Sequence, residues 1–216
     1  MTSVEAAKPA GAAEAKRVWV RRAGWIVGAA VVVALIAGVV AWQVAARTAR
    51  VERGASSSSG AGATLPDCLP GDSIWAMFGA EEDAVVVQTV RNPSRWPVTV
   101  ISTDPDVYRF EPMADDWRGD YTFVSDPAEG APDRGDTSDR VVIPPDREAT
   151  MWIINPQGDL SISPGVWHLY EGTFVTVRAL GVERELYLPF RGAVSVGGRE
   201  STTTRLDRAL QAACEA

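Results

Sequence analysis

Histidine is nearly missing from this 216-residue chain: His168 is the only one, so any Ser-His-Asp triad or Cys-His dyad would have to be built on it. It sits among Val166, Trp167, Leu169 and Tyr170, and no Gly-x-Ser-x-Gly turn occurs to raise a nucleophile. Metal-binding residues are equally sparse. There are two cysteines, and the methionines beyond the first residue, Met77, Met113 and Met151, are far apart, so the clustered His, Cys or Met of a zinc or copper site is lacking. Lysine stops at Lys16. Residues 1–53 carry a net charge of +5 and residues 54–216 one of −12, and a portion that acidic repels phosphate backbones. The expectation is a chain that is not an enzyme, holds no cofactor and binds no nucleic acid.

What the chain does have is one long apolar run. Ala23–Ala46 contains no charge, and Gln43 is its only strongly polar side chain. As a helix it would be about 36 Å long, against about 30 Å of bilayer hydrocarbon. Ile26, Val27, Val31, Val32, Val33, Leu35, Ile36, Val39 and Val40 place apolar side chains all round, unlike a surface helix with one polar face. Trp25 and Trp42 fall about 26 Å apart along the axis, near the two headgroup levels. A cleaved signal peptide ending at Val44-Ala45-Ala46 is the competing reading, but its apolar core would be about 7–15 residues. A lipoprotein anchor fits less well, since Cys68 follows Leu65-Pro66-Asp67, well past the run.

Lys8, Lys16, Arg17, Arg21 and Arg22 precede the run and Arg47, Arg50 and Arg53 follow it, which points the N-terminus to the cytoplasm. Cys68 and Cys214 bracket almost everything after the run. As a disulfide they would require an oxidising compartment and would stabilise by about 4–5 kcal/mol through loop closure; two free thiols in a cytoplasmic domain are the alternative. The expected localisation is the cell membrane with the C-terminal part extracytoplasmic. Gly24-x-x-x-Gly28 and Ala30-x-x-x-Ala34-x-x-x-Gly38 would let two such helices approach as a homodimer, although an Ala/Gly-rich chain produces these spacings by chance.

The organisation read from composition is a cytoplasmic disordered tail over 1–22, a transmembrane helix over 23–46, a flexible linker over 47–67, a β-sandwich over 68–200 and a short helix over 201–216. The linker reading rests on Gly54–Thr64, a Gly/Ser/Ala stretch without a core-forming residue, whose ends as free coil would lie roughly 20 Å apart. Seven strands are expected, bounded by Pro, Gly, Asn or Asp: 84–91, 97–103, 107–110, 140–143, 149–154, 173–180 and 182–190. The last two form a hairpin across Gly181, with Val182, Leu186, Leu188 and Phe190 on one face and Glu183, Glu185 and Tyr187 on the other. Strands without intervening helices predict a mainly β, antiparallel fold. Thr204-Arg205-Leu206-Asp207 reads as the start of the closing helix.

The run Val90-Arg91-Asn92-Pro93-Ser94-Arg95-Trp96-Pro97-Val98-Thr99-Val100, with Ile143-Pro144-Pro145 and the Gly181 hairpin, resembles the extracytoplasmic immunoglobulin-like domains of single-pass membrane proteins from high-GC actinobacteria. The resemblance covers roughly 70–197 and implies a β-sandwich with no assigned activity and no functional residue. The Cys…Trp…Cys spacing of antibody domains is not present.

The remaining candidate is the acidic stretch 111–139, with nine carboxylates against Arg118 and Arg134. Three readings stand: a solvated connection, a calcium loop supplying some of the about six to eight oxygens that ion takes, or a surface for a basic partner. Asp115, Asp116, Trp117, Asp120 and Tyr121 are the candidate contact residues, the aromatics either stacking on a ligand or folding back on the core. The function expected is that of a non-catalytic envelope interaction module with a protein or cell-envelope partner. The alternative is a calcium- or ligand-responsive sensor using this loop.

Overall fold

The computed structural model describes residues 11–61, 63–64, 74–78, 84–113, 123, 125–133, 135–154 and 167–197. The chain divides into a helical unit ending at Ala45 and a β-rich body beginning at Ala46.

Helix α1 runs Gly11–Thr48. It therefore begins inside the segment expected to be a disordered tail, and the reason is local: Ala12-Ala13-Glu14-Ala15-Lys16-Arg17 are good helix formers, and adding residues to a formed helix costs far less than nucleating one. Over Trp25–Thr48 its mean hydropathy is 2.5 and its apolar side chains are exposed, so this one helix is long and apolar enough to cross a membrane.

The body contains ten strands among the described residues: β1 Glu52–Ser59, β2 Ala63–Thr64, β3 Ile74–Phe78, β4 Val85–Arg91, β5 Val98–Ser102, β6 Tyr108–Pro112, β7 Arg140–Ile143, β8 Glu148–Ile154, β9 Trp167–Ala179 and β10 Val182–Gly197. One sheet is antiparallel with order β1-β4-β8-β6; the other has order β2-β3-β10-β9-β5-β7, antiparallel except where β3 runs parallel to β10. All seven expected strands are present as β4 to β10. The count of seven is corrected by β1, β2 and β3, of which β1 lies where a flexible linker was expected.

That correction has a backbone cause. Strand β1 pairs with β4 but carries a bulge, so that Gly54, Ala55 and Ser56 together oppose Thr89. Side chains of the sheet fill the gap in the ladder. The Thr89 hydroxyl accepts from the Ser56 N–H at 3.1 Å, and Glu148 Oε1 accepts from the Ala55 N–H at 3.3 Å. Composition alone hides such a strand, because its hydrogen bonds come from its neighbours while its own side chains bury almost nothing apolar.

Alternation along the strands builds the main core between the two sheets. Val86, Val90, Ala149, Met151 and Ile153 face Val98, Val100, Val175, Val177, Leu188 and Val194 in one buried cluster. Tyr108 joins it, its ring centroid 6.0 Å from that of Phe190. The other face of β4 and β8 is covered as well: Val85, Val87 and Trp152 pack beneath Phe123 and Ala131 from the acidic connection. Strands buried on both faces read as unbroken apolar runs, which explains Val85-Val86-Val87 and Met151-Trp152-Ile153-Ile154.

The β9–β10 hairpin is as expected, with Gly181 at φ 81° and Leu180 also at positive φ, 50°. Glu183, Glu185 and Tyr187 are exposed, while Leu188 and Phe190 are buried. The closing helix over 201–216 and both cysteines, Cys68 and Cys214, lie outside the described residues.

Candidate contact surface

Register places two groups of connections at opposite ends of the body. Glu52 pairs with Arg91, Arg91 with Glu148, and Val98 with both Ala179 and Ile143. The chain's entry into β1, the Asn92–Pro97 turn, the Pro144–Arg147 turn and the Leu180-Gly181 turn therefore share one end. At the other end Val85 pairs with Ile154, the Ile154 N–H donates to Val107 O, the Ala61 N–H to Pro127 O, and the Ser102 N–H to Asp139 O. The β5–β6 connection, a short helical turn Pro127–Glu129 and the entry to β7 meet there.

The two ends differ in charge. Exposed side chains at the far end include Asp104, Asp106, Asp126 and Glu129, with Asp133 and Asp136 on the connection leading to Ser138. Among the described residues Arg109 and Arg140 are the cations nearby; Arg140 Nε donates to Asp139 Oδ1 at 3.2 Å, which holds that carboxyl below the usual carboxylate range. Asp126 caps the Pro127–Glu129 turn by accepting from the Ala128 N–H at 2.9 Å, an arrangement that fixes its own direction as well as the turn.

Between Met113 and Phe123 the chain passes through Asp115, Asp116, Trp117, Asp120 and Tyr121, the sequence-predicted contact residues. All five lie outside the described residues. The structure does describe how their segment is anchored. Glu111 Oε2 accepts from the buried Trp152 indole N–H at 3.1 Å, and Glu111 Oε1 accepts from the Ser125 hydroxyl at 2.7 Å. One carboxylate thus ties the outgoing and returning limbs together over the outer core. In its described limbs this connection packs on the outer core through Phe123 and Ala131, while Asp126, Ala128 and Glu129 stay exposed.

The other sequence candidates fall apart in space or in role. His168 is exposed on β9 with its ring stacked 6.5 Å from that of Tyr170. Met151 is core, and Met113 Sδ accepts from the Thr150 hydroxyl at 3.4 Å. Among the described residues no group of three or more His, Cys, Asp or Glu side chains is placed to hold a metal ion.

Sequence reasoning did not single out the outward face of the larger sheet. There Phe174 and Tyr187, register partners on β9 and β10, meet edge to face at 5.4 Å and remain about half exposed; four residues further along β9, Arg178 Nε donates to Glu183 Oε1 at 2.6 Å. The signal was the odd-numbered alternation of the hairpin, which had already put Tyr187 on the solvent side. No protein-family model matches the sequence, and no curated protein is found to be related to it, so the immunoglobulin-like and actinobacterial resemblance draws no support from either comparison.

Proposed function

We propose that this chain is a membrane-anchored, non-catalytic interaction module that presents an acidic surface to a basic protein or envelope partner outside the cytoplasm. The observation that carries the reading is the end-to-end charge separation of the body. The end at which Val85 pairs with Ile154 gathers exposed Asp104, Asp106, Asp126 and Glu129, while β6 leads into the 114–122 segment from the other end, where Pro112 pairs with Ala149; that segment holds Asp115, Asp116 and Asp120 with Arg118 by sequence. Exposed carboxylates clustered at one end of an anchored body suit capture of a basic partner approaching from solution.

An immunoglobulin-like β-sandwich belongs to the same proposal. The order β1-β4-β8-β6 corresponds to the A-B-E-D sheet of such domains, and β10-β9-β5 to G-F-C. Two departures are topological: β7, beside β5, follows β6 in the chain, and β2 and β3 extend the β10 edge, with β3 parallel to β10. The orientation with the N-terminus cytoplasmic and a Cys68–Cys214 disulfide complete the reading. A reporter fused after Ala216 tests orientation, and thiol labelling before and after reduction tests the pairing.

The surface itself is tested with a photo-crosslinking residue at Ala128, which is exposed beside Asp126 and Glu129. The expected result is a discrete adduct with a basic partner that disappears when Glu129 and Asp133 are both changed to Lys. Adducts identical to those from a control position at Thr176 would end the proposal.

A further inference from the structure

Among the described residues the opposite end of the body is basic, against the acidic balance of the whole. Exposed on its turns and on the chain entering β1 are Arg47, Arg50, Arg91, Arg95, Arg147 and the half-exposed Trp96. The acids at this end sit against Arg91 and Arg178, whose charge they offset in turn, so the surplus lies with the other arginines. Glu52 and Asp146 lie 3.9 and 3.6 Å from Arg91, and Glu183 is bonded to Arg178. Chain continuity then supplies the neighbour: Thr48, the last residue of α1, is separated from Glu52 by three residues. If Trp25–Thr48 spans a bilayer, this end of the body cannot be far from the headgroups.

We propose that the Asn92–Pro97 and Pro144–Arg147 turns form a headgroup-binding surface for the anionic lipids of the leaflet on the body's side. Arginine forks match phosphate geometry bidentately, and an indole beside them suits the interfacial layer. The turns are built rigidly enough to aim these groups. Buried Asn92 donates through Nδ2 to Trp96 O and Ile143 O, each at 2.8 Å, and the Asp146 N–H donates to Asn92 O at 2.8 Å, so the two turns are bonded to each other. Arg184, donating to Ala49 O, holds the entering chain against the same end. The inference rests on α1 being a span; which side of the membrane the body occupies does not enter it.

The test uses the full chain in nanodiscs made either of phosphatidylcholine or of a mixture with phosphatidylglycerol, read by hydrogen exchange. Amides of Asn92, Ser94, Arg95, Trp96, Asp146 and Arg147 are expected to exchange about tenfold more slowly in the anionic discs, as steady attraction of several arginines would require, and the difference should vanish in high salt. The Arg95→Glu/Arg147→Glu double variant should remove it while the β8 amides keep their protection. Equal exchange in both discs, or protection untouched by the double variant, overturns the proposal. Failure of the chain to copurify with either disc instead overturns the span on which it rests.

Discussion

Trp152 and Glu111 are joined by a buried hydrogen bond, indole Nε1 to carboxylate Oε2 at 3.1 Å, between neighbouring strands of the smaller sheet. The bond lies under the acidic connection, where Trp152 forms a second core with Val85 and Val87. Glu111→Ala would leave the indole N–H without an acceptor in a dry site, a loss of about 2 kcal/mol. For a body of this size that corresponds to a melting temperature lower by about 4–8 °C. Ser125→Ala removes a more exposed bond to the same carboxylate and should cost about 1 kcal/mol or less. A double-mutant cycle of Glu111→Ala with Trp152→Phe, followed by thermal unfolding, should show coupling of about 1–2 kcal/mol; additive effects would mean that the bond contributes nothing.

Asn92 is the joint of the basic end. Its Nδ2 serves Trp96 O, Ile143 O and Pro144 O, while its Oδ1 accepts from the Ser94 N–H at 3.0 Å in an Asx turn. Asn92→Ala deprives three carbonyls at once and should destabilise by about 3 kcal/mol. Asn92→Asp should be worse than alanine, because a carboxylate has no N–H to donate and would face the same carbonyls. Denaturant midpoints of the two variants decide the order, and aspartate as the milder change would contradict the network.

Gly54 marks where the bulge brings β1 against its neighbours. A Cβ there would meet the Thr89 hydroxyl and lie 2.6 Å from Glu148 Oε2. Gly54→Ala should therefore cost about 1–3 kcal/mol. Because β1 contributes little apolar surface, the expected failure is local: amides of Ala55–Ser59 lose exchange protection while those of Met151 and Ile153 keep it. Loss of protection throughout the body would show instead that β1 is integral to the cooperative fold.

These residues also show what a sequence can disclose. Val98 and Val100 flank Thr99, and Val175 and Val177 flank Thr176, so β5 and β9 were legible from β-branched runs and their alternation. The Asn92-Pro93 turn was legible as punctuation, though not its role as a clamp on Ile143, which depends on contact across 51 positions. Strand β1 was illegible because Thr89 and Glu148 complete its ladder. The acidic connection was legible as charge but not as cover, since Phe123 and Ala131 are too few to signal a buried face without knowledge of Trp152 beneath them. Its five candidate contact residues are known by sequence alone.

Tyr108 gives the body a predictable response to alkali. Burial against the main core pushes its hydroxyl up to about 12, with a hydrogen bond from Thr173 opposing the shift. Tyr170 is raised by the same cause. A folded-state value above the unfolded value of about 10 means that folding favours the neutral phenol. The contribution is complete below about pH 10 and is lost as pH rises through about 12, at a cost of about 2–3 kcal/mol for Tyr108. The window is unusually clean, because lysine is confined to Lys8 and Lys16 and the body has none to titrate beside the tyrosines. Denaturant midpoints should therefore fall between about pH 10 and about pH 12 in the wild type, and fall distinctly less in Tyr108→Phe. Parallel slopes in the two proteins would place the alkaline transition elsewhere in the chain.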